Sequence, residues 1–271
     1  MPDCTMSNYI KFVETTAREA GTLLKKMLPR EHRIDFKGEI DIVTEADYIS
    51  EKLLIHRIRK NFPQHDILTE ESAVIQNGSD FRWIIDPLDG TTNYAHGYPV
   101  FCVSIALEIQ GVIRCGAIYN PVLDEMFTAE AEGGAFLNGR PLAVSSTNEL
   151  SRSLMATGFP YDIRESEDNN IHYFIVMAKN AQAIRRAGSA ALDLAYVAAG
   201  RFDGFWELKL RPWDTAAGWL MVKEAGGMVT DIFGKGYRLT SAHILASNGK
   251  IHEAMIDVFI KTAHLPSEWV N

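Results

Sequence analysis

Four segments patterned like β-strands follow one another between residues 101 and 137 with only short gaps between them. They read FCVSIALEI, VIRCGAIYNP, EMFTAEA and GGAFL, and they include many of the β-branched and aromatic residues that strands favour. Gly111 separates the first two segments, and Asn138-Gly139 after the last is typical of a tight hairpin turn. Because short turns join antiparallel neighbours, these segments predict an antiparallel meander.

Helical patterns precede this meander. Residues 7–28 place apolar side chains at helical spacing, and Thr44-Glu45-Ala46-Asp47 resembles a capping box that opens a second helix. We expect that second helix to present one apolar face, formed by Ile49, Leu53, Leu54 and Ile58. Two short strands are predicted between the second helix and the meander, at Asp66 to Thr69 and Arg82 to Ile85.

After about residue 150 the pattern alternates between strands and helices. The predicted strands are SLMATG, AIRRAG, GFWEL, GMVTDIF and ILAS, and the predicted helices are IHYFIVMAKN, SAALDLAYVAAG, DTAAGWLMVKEAGG and IHEAMIDVFIKTAHL. The order of helix pair, sheet, helix, sheet and helix predicts a layered α+β protein. We expect residues 1–271 to form one domain of two packed halves, roughly 1–150 and 151–271.

Charge and cysteine content limit the partners and the compartment. With 27 basic and 35 acidic residues the net charge is −8, which gives no general attraction to nucleic acid or anionic lipid. Cys4, Cys102 and Cys115 lack metal-ligand spacing, and the last two lie in apolar runs, so we expect those two to be buried free thiols. The sequence has neither a signal-peptide pattern nor an apolar run of membrane-spanning length. These features favour a cytoplasmic protein without a membrane partner.

The stretch IIDPLDGTTN, residues 84–93, ends an apolar segment in two carboxylates separated by a proline. A calcium loop of the EF-hand type requires Asp or Asn two residues after Asp86, where Leu88 stands. A phosphatase of the haloacid dehalogenase type requires a nucleophilic aspartate two residues before Asp89, where Pro87 stands. Both interpretations therefore fail. Because the nucleophilic aspartate of the second is missing, a phospho-enzyme of that type is excluded.

A cation-binding loop accounts for every residue of this stretch. Asp86 at a strand end can bridge two cations, Asp89 can bind one of them, and the carbonyl group of Leu88 can face the same place. Gly90 allows the backbone to approach a ligand closely, and the N–H groups of residues 90–92 suit an anion.

Two other stretches place carboxylates at the ends of predicted elements. ILTEES, residues 67–72, ends a strand in Glu70-Glu71, and WDTAAG, residues 213–218, puts Asp214 at a predicted helix N-cap. Each alone is ordinary, because an aspartate before a helix is usually a cap and a glutamate pair is usually solvated. Spacing in the sequence does not by itself bring these stretches together.

Repulsion would decide the chemistry if Glu70, Asp86, Asp89 and Asp214 did meet. Two carboxylates ~4 Å apart repel by about 4 kcal/mol at an effective dielectric constant of 20, against ~1 kcal/mol for a helix cap. Such a group would need cations to be stable. Ligands that are all oxygen atoms favour Mg²⁺ first and Mn²⁺ second.

These motifs resemble those of the inositol monophosphatase family, whose members are Mg²⁺-dependent, lithium-sensitive phosphatases. The resemblance covers nearly the whole chain and depends on DIVTEAD (41–47), TEES (69–72), DPLDGTTN (86–93) and WDTAAG (213–218). TGFPY at residues 157–161 is similar to bacterial members in particular. The resemblance implies a layered αβαβα sandwich, as in inositol monophosphatase and fructose-1,6-bisphosphatase, and a homodimer.

The same resemblance implies a role for each matching residue. Two or three Mg²⁺ ions, or Mn²⁺ as a substitute, are expected to bind to Glu70, Asp86, the Leu88 carbonyl, Asp89 and Asp214. The catalytic residues are expected to be Glu70 and Thr91, with Asp47 supporting Thr91 in the activation of water. The substrate is expected to contact Asp89, Gly90, Thr91, Gly188, Ser189, Ala190 and Glu207. Lys37 is the nearest match to a lysine that the family places before the DIVTEAD stretch.

The implied reaction is hydrolysis of a small phosphorylated polyol, with myo-inositol monophosphate first, by direct attack of water. Another phosphatase of the superfamily, acting on histidinol phosphate, fructose 1,6-bisphosphate or nucleotides, is the alternative, although the Glu207 carboxylate would repel a second phosphate. A third hypothesis is a regulatory binding protein on the same scaffold, because bacterial relatives have been linked to transcription complexes. No motif in the sequence supports a nucleic-acid or transcription-complex partner for this chain.

Overall fold

The computed structural model describes residues 5–28, 33–72 and 74–263. Its helices are α1 (Met6–Met27), α2 (Glu45–Asn61), α3 (Thr91–Ala95), α4 (Ile171–Asn180), α5 (Ala190–Ala198), α6 (Pro212–Glu224) and α7 (His252–Ala263). Its strands are β1 (Ile34–Phe36), β2 (Ile42–Thr44), β3 (Asp66–Thr69), β4 (Phe81–Asp89), β5 (Cys102–Ile109), β6 (Val112–Asn120), β7 (Glu125–Glu130), β8 (Gly134–Leu137), β9 (Arg140–Pro141), β10 (Leu154–Thr157), β11 (Ala183–Arg185), β12 (Gly204–Leu208), β13 (Met228–Thr230) and β14 (His243–Ser247).

The strands of the described residues form two large sheets and one hairpin. The seven-stranded sheet has the order β3-β4-β5-β6-β7-β8-β9, the five-stranded sheet has the order β11-β10-β12-β14-β13, and β1 pairs with β2. The predicted meander is confirmed, since each strand from β5 to β9 is antiparallel to the next. Asn138 and Gly139 form its last tight turn with φ angles of 49° and 76°, as a type I′ turn requires.

Alternate residues of the strands enter different hydrophobic cores. On β5, Val103 and Ile105 pack with the buried residues of α1 and α2, whereas Cys102 and Ala106 pack with those of α5 and α6. This alternation follows from the two-residue period of a strand, which sends successive side chains to opposite faces. The seven-stranded sheet therefore lies between two layers of helices.

The five-stranded sheet repeats this arrangement. On β12, Phe205 enters the core shared with α5 and α6, while Trp206 and Leu208 enter a third core with α4 and α7. The layers are thus α1/α2, the first sheet, α5/α6, the second sheet and α4/α7. This confirms the predicted αβαβα sandwich. The division of one domain at about residue 150 stays a prediction.

One hairpin was missed, and two expectations about local structure were wrong. The hairpin of β1 and β2 was missed because all three residues of β1 are exposed, so β1 has no apolar alternation to detect. On α2, Ile49 is 41% exposed, and the inward face includes the polar residues Asp47, Ser50 and Glu51. The strand predicted to end at Ile85 continues to Asp89. Cys4 and the predicted end of the last helix lie outside the described residues.

Gly218 lets α6 approach α5 within the central helical layer. A Cβ atom at this position would lie 2.5 Å from the Cβ atom of Leu194, which cannot move without its backbone. We expect Gly218→Val to lower the free energy of unfolding by about 2–3 kcal/mol through overpacking. Gly236→Val is the matched control, because a Cβ atom at Gly236 would have nothing within 4 Å. Urea denaturation measures both variants, and equal losses would contradict the packing argument.

Candidate active site

The ends of β3 and β4 bring the first two predicted acidic residues together. The strands are parallel and pair Thr69 with Ile85, so Glu70 and Asp86 follow at neighbouring positions. Because parallel strands end at the same edge of a sheet, both carboxylates reach one edge of the seven-stranded sheet.

A β-bulge in β4 sets Asp89 beside Asp86. β4 pairs Asp86 with Ser104 and Asp89 with Cys102, so three steps along β4 match two steps along β5. In a regular strand, residues three apart point to opposite faces, and the one extra residue puts Asp86 and Asp89 on the same face. Pro87 fits within the bulge because no N–H group is needed there. The strand therefore does not end at Ile85, as predicted, but continues through an irregularity to Asp89.

Asp214 reaches the same place from the first turn of α6. The helix begins at Pro212 and its N-cap is Arg211, so the prediction that Asp214 is the N-cap was wrong. Asp214 is the third residue of the helix, and its Oδ2 accepts a hydrogen bond from the backbone N–H of Arg211 at 2.6 Å. A carboxylate in the first turn is also stabilised by the helix dipole.

All of the predicted site residues except Asp47 line one cleft of about 580 Å³. Asp47 is fully buried beside this cleft, and its Oδ1 accepts a hydrogen bond from the Thr91 hydroxyl at 2.8 Å. Its Oδ2 accepts from the N–H and hydroxyl groups of Thr44, at 2.8 and 2.7 Å, in the predicted capping box. The convergence of the acidic stretches is thus a feature of the structure, while the chemical role of each residue stays a prediction.

The Thr91 hydroxyl has one proton and two acceptors within reach. Its Oγ1 lies 2.8 Å from Asp47 and 3.1 Å from the carbonyl oxygen of Leu88. Donation to the closer, charged acceptor leaves the oxygen of Thr91 free to accept a hydrogen bond from a molecule in the cleft. Burial raises the pKa of Asp47, and its hydrogen bonds with Thr44 and Thr91 act in the opposite direction.

Gly90 is the N-cap of the short helix α3 and has a conformation that glycine favours. Its φ angle is +96°, and a Cβ atom there would lie 2.9 Å from the carbonyl oxygen of Val100. Nearby, the side-chain amide of Asn93 donates to the carbonyl groups of Val100 and Ala187, at 2.7 and 2.8 Å. These bonds connect the start of α3 with the segment that contains Gly188.

The first turn of α5 holds the carboxylate of Asp89. Its Oδ2 accepts from the hydroxyl of Ser189 at 2.6 Å and from the N–H of Ala191 at 2.8 Å. Ser189 therefore positions Asp89, and its predicted contact with substrate stays a prediction. The adjoining residues Gly188 and Ala190 line the cleft as expected.

The repulsion expected among the acidic residues is visible in their proton affinities. Burial raises the pKa of Asp86 well above its ordinary value, and the charges of Glu70, Asp89 and Asp214 raise it further. Burial, followed by Glu70 and Asp89, does the same to the pKa of Asp214. Lys37 partly relieves this repulsion, because its ammonium group lies 2.9 Å from Glu70. The lysine that the family resemblance identified thus faces the acidic group.

The donor atoms of this group fit a hard cation. Backbone N–H groups donate to Oδ1 of Asp86, to Oδ2 of Asp89 and to Oδ2 of Asp214. As these side chains stand, no three Asp, Glu, His or Cys residues of the described part are clustered to hold an ion. Each of these carboxylates is held through one oxygen. Carboxylate oxygens are the ligands that Mg²⁺ and Mn²⁺ prefer.

Two further charged residues, which no sequence motif predicted as site residues, line the cleft. Asp193 of α5 is 1% exposed, and its Oδ1 has no hydrogen-bond partner among the described residues. Arg186 also lines the cleft, and its charge acts on Asp193 and Glu207. A single acidic residue in the otherwise apolar helix AALDLAYVA was the signal that could have identified Asp193.

Glu207 occupies a space that a glycine leaves open. A Cβ atom at Gly158 would lie 2.1 Å from the Oε1 atom of Glu207, so only glycine is compatible with this carboxylate position. Burial raises the pKa of Glu207 to about 8, with Arg186 opposing this shift and Asp89 adding to it.

The raised pKa of Glu207 predicts a pH-dependent stability. The neutral carboxyl is favoured in the folded protein, so its contribution is complete below the ordinary pKa of 4.5 and is lost as the pH rises through about 8. We expect the Tm of metal-free protein to fall between about pH 5 and about pH 9, and Glu207→Gln to reduce that fall by roughly 4–8 °C. Glu108→Gln is the control, because Arg82 neutralises this carboxylate at the other end of the sheet. Identical pH profiles for wild type and Glu207→Gln would disprove the assignment.

Comparison with known proteins agrees with this geometry. A sequence model of the inositol monophosphatase family matches residues 5–263. An inositol-1-monophosphatase of Synechocystis is 43% identical over 259 residues, which are 95% of this chain and 90% of that protein. A protein of Pseudomonas aeruginosa named Nus factor SuhB is 44% identical over 257 residues, 92% of this chain and 94% of that protein. The structure of an inositol monophosphatase from Anabaena (Nostoc) superposes with a TM-score of 0.87 at 45% identity, covering 94% of this chain and 96% of that one. The chain therefore belongs to the inositol monophosphatase family of phosphatases.

Proposed function

We propose that the protein hydrolyses small phosphate monoesters of polyols, with myo-inositol monophosphate as the preferred substrate, Mg²⁺ as cofactor and water as the nucleophile. The observation that supports this most strongly is the convergence of Glu70, Asp86, Asp89 and Asp214 in one cleft beside the Thr91–Asp47 hydrogen bond. The inositol-1-monophosphatase name of a 43% identical relative supports the same substrate class.

Glu70, Asp86, the carbonyl of Leu88, Asp89 and Asp214 would hold two or three Mg²⁺ ions, or Mn²⁺ in their place. Bound Mg²⁺ supplies positive charge against the phosphate and lowers the pKa of the attacking water. Burial and mutual repulsion raise the pKa values of Asp86 and Asp214, which gives these residues a physical reason to bind cations.

The chain itself orients the reaction. The hydroxyl of Thr91 donates a hydrogen bond to Asp47 and accepts one from the attacking water, which fixes the direction of attack. The N–H groups of Gly90 and Thr91 hold the phosphate oxygens. Because Pro87 stands where a nucleophilic aspartate would be needed, the phosphoryl group passes directly to water and the configuration at phosphorus inverts.

The polyol preference follows from the far side of the cleft. Carboxylates accept hydrogen bonds from hydroxyl groups, and Glu207 and Asp193 both line that side. Burial raises the pKa of both carboxyl groups, and the positive charge of Arg186 lies close to them, so charge on this side does not exclude a second phosphate. Phosphatases of histidinol phosphate, fructose 1,6-bisphosphate or nucleotides therefore remain the alternatives that a substrate panel must test.

The first test measures phosphate release from such a panel with Mg²⁺, with and without Li⁺. We expect the fastest turnover with myo-inositol monophosphate, inhibition by Li⁺, and a loss of about 10³-fold or more in kcat for Asp214→Asn. Asn retains the acceptor for the N–H of Arg211 and removes only the charge. Asp80→Asn, whose parent carboxylate accepts from Gln110 at the other end of the sheet, should match the wild type. Near-normal kcat for Asp214→Asn at saturating Mg²⁺ would refute the metal assignment.

Thr91→Ala tests how water is oriented. We expect kcat to fall by roughly 10²- to 10⁴-fold with little change in KM, because the hydroxyl acts on water rather than on the substrate. Thr91→Ser restores the hydroxyl and should recover most of the activity. Radiolabelled phosphate found covalently attached to the wild-type protein during turnover would disprove direct attack by water.

We also propose a second, binding role, because the Pseudomonas relative is named as a Nus factor. This role would make a transcription complex a partner. Affinity capture from an extract of the source cells, with the wild type and with Asp89→Asn, tests it. Recovery of transcription proteins with both forms supports a role independent of catalysis, and recovery with neither form refutes it.

The assembly and the compartment complete the proposal. Within the described residues none of the helices has the length and apolar character needed to cross a membrane. We propose a homodimer, as the family resemblance implies, which light scattering of the purified protein tests. We also propose a cytoplasmic location, because Cys102 and Cys115 are buried free thiols.

A further inference from the structure

The buried carboxylate of Glu51 holds the loop that presents Glu70 to the cleft. From this geometry we propose that Glu51 is a positioning residue for cation binding at the Glu70 side of the site. The inference rests on the proposed metal-dependent function. It concerns a residue that lies outside the acidic group itself and that none of the sequence motifs includes.

Glu51 binds this loop on both sides of Glu70. The hydroxyl of Thr69 donates to Oε1 at 2.6 Å, and the backbone N–H of Ser72 donates to the same oxygen at 3.1 Å. The hydroxyl of Ser72 donates to Oε2. Because these donors lie one residue before and two residues after Glu70, the backbone that carries the Glu70 side chain is fixed at both ends.

The helix that carries Glu51 also holds the β4 bulge and Thr91, which follows the bulge. Asp47 lies one turn earlier on the same face of α2 and accepts from Thr91. Between them, the hydroxyl of Ser50 donates to the carbonyl oxygen of Pro87 at 2.8 Å, within the bulge. One turn of α2 therefore sets the position of the Glu70 loop relative to the Asp86–Asp89 bulge. A rigid helix is a suitable element for holding two groups of proposed metal ligands at a constant distance.

The contacts explain why this position holds a carboxylate rather than an apolar side chain. Glu51 is 3% exposed, and burying a charge in this way is costly unless hydrogen bonds replace those from water. All three groups that face it are donors, and a carboxylate is an acceptor at both oxygens. The ammonium group of Lys37 donates to Glu70 and to Glu71, so Lys37 balances charge on this loop while Glu51 fixes its backbone.

The experiment uses the full-length protein and measures Mn²⁺ binding by electron paramagnetic resonance as well as the Mg²⁺ dependence of phosphate release. We expect Glu51→Ala to raise the Kd for Mn²⁺ and the Mg²⁺ concentration for half-maximal activity by about 10-fold or more, since residues that orient metal ligands have effects of that size. At saturating Mg²⁺ its kcat should stay within about threefold of the wild-type value.

A double-mutant cycle separates positioning from general loss of structure. In a Glu70→Ala background, Glu51→Ala should weaken Mn²⁺ binding by less than about twofold, because the ligand that it positions is already absent. Glu108→Ala removes another buried carboxylate, far from the cleft, and should leave Mn²⁺ binding unchanged. Ser72→Ala, which removes one of the three donors, serves as the milder variant if Glu51→Ala does not fold.

Three results would overturn the inference. The first is wild-type Mn²⁺ affinity in Glu51→Ala, or in Ser72→Ala when that variant is used. The second is an equal loss of affinity from the substitution with and without the Glu70 side chain. The third is an equal loss of affinity in Glu108→Ala. Failure of the proposed function has a different signature. In that case the wild type would release no phosphate from any monoester of the panel with Mg²⁺, whatever the variants show.

Discussion

The site depends on the bulge that places Asp86 and Asp89 on one face of the seven-stranded sheet. Without the extra residue, the two carboxylates would point to opposite faces, since side chains alternate along a strand. The bulge is stabilised from two directions. Ser50 donates to the carbonyl of Pro87, and the start of α5 donates to Asp89 through Ser189. Residues of α2 and of the central helical layer thus contact the same bulge in β4.

This arrangement concentrates negative charge where the core would otherwise be apolar. Backbone N–H groups hold one oxygen each of Asp86, Asp89 and Asp214, which compensates for part of the lost hydration. Burial and the remaining repulsion raise the pKa values of Asp86 and Asp214, and Lys37 supplies a counter-charge to the neighbouring Glu70. Bound cations would offset the electrostatic repulsion of the metal-free site, which connects that repulsion to the proposed function.

Much of the fold followed from local patterns. The meander and the capping box at Thr44 were predicted because each depends on residues close together in the sequence, whereas the αβαβα order of layers was implied by the family resemblance. The β1–β2 hairpin was missed since β1 is exposed, and the inward face of α2 was assigned wrongly because its polar residues are buried against loops. The start of α6 was also placed too late, since Pro212 was not recognised as its first residue.

The sequence by itself determined the chemical types at the site: oxygen ligands without histidine or cysteine, a glycine before N–H groups that suit an anion, and Pro87 where a covalent nucleophile would stand. Only the tertiary structure decided that these donors converge, that Ser189 holds Asp89, and that Glu51 holds the Glu70 loop. The reason is physical. Residue type and local period are properties of neighbouring positions, whereas strand register, a bulge and contacts between distant elements arise when separate segments pack together.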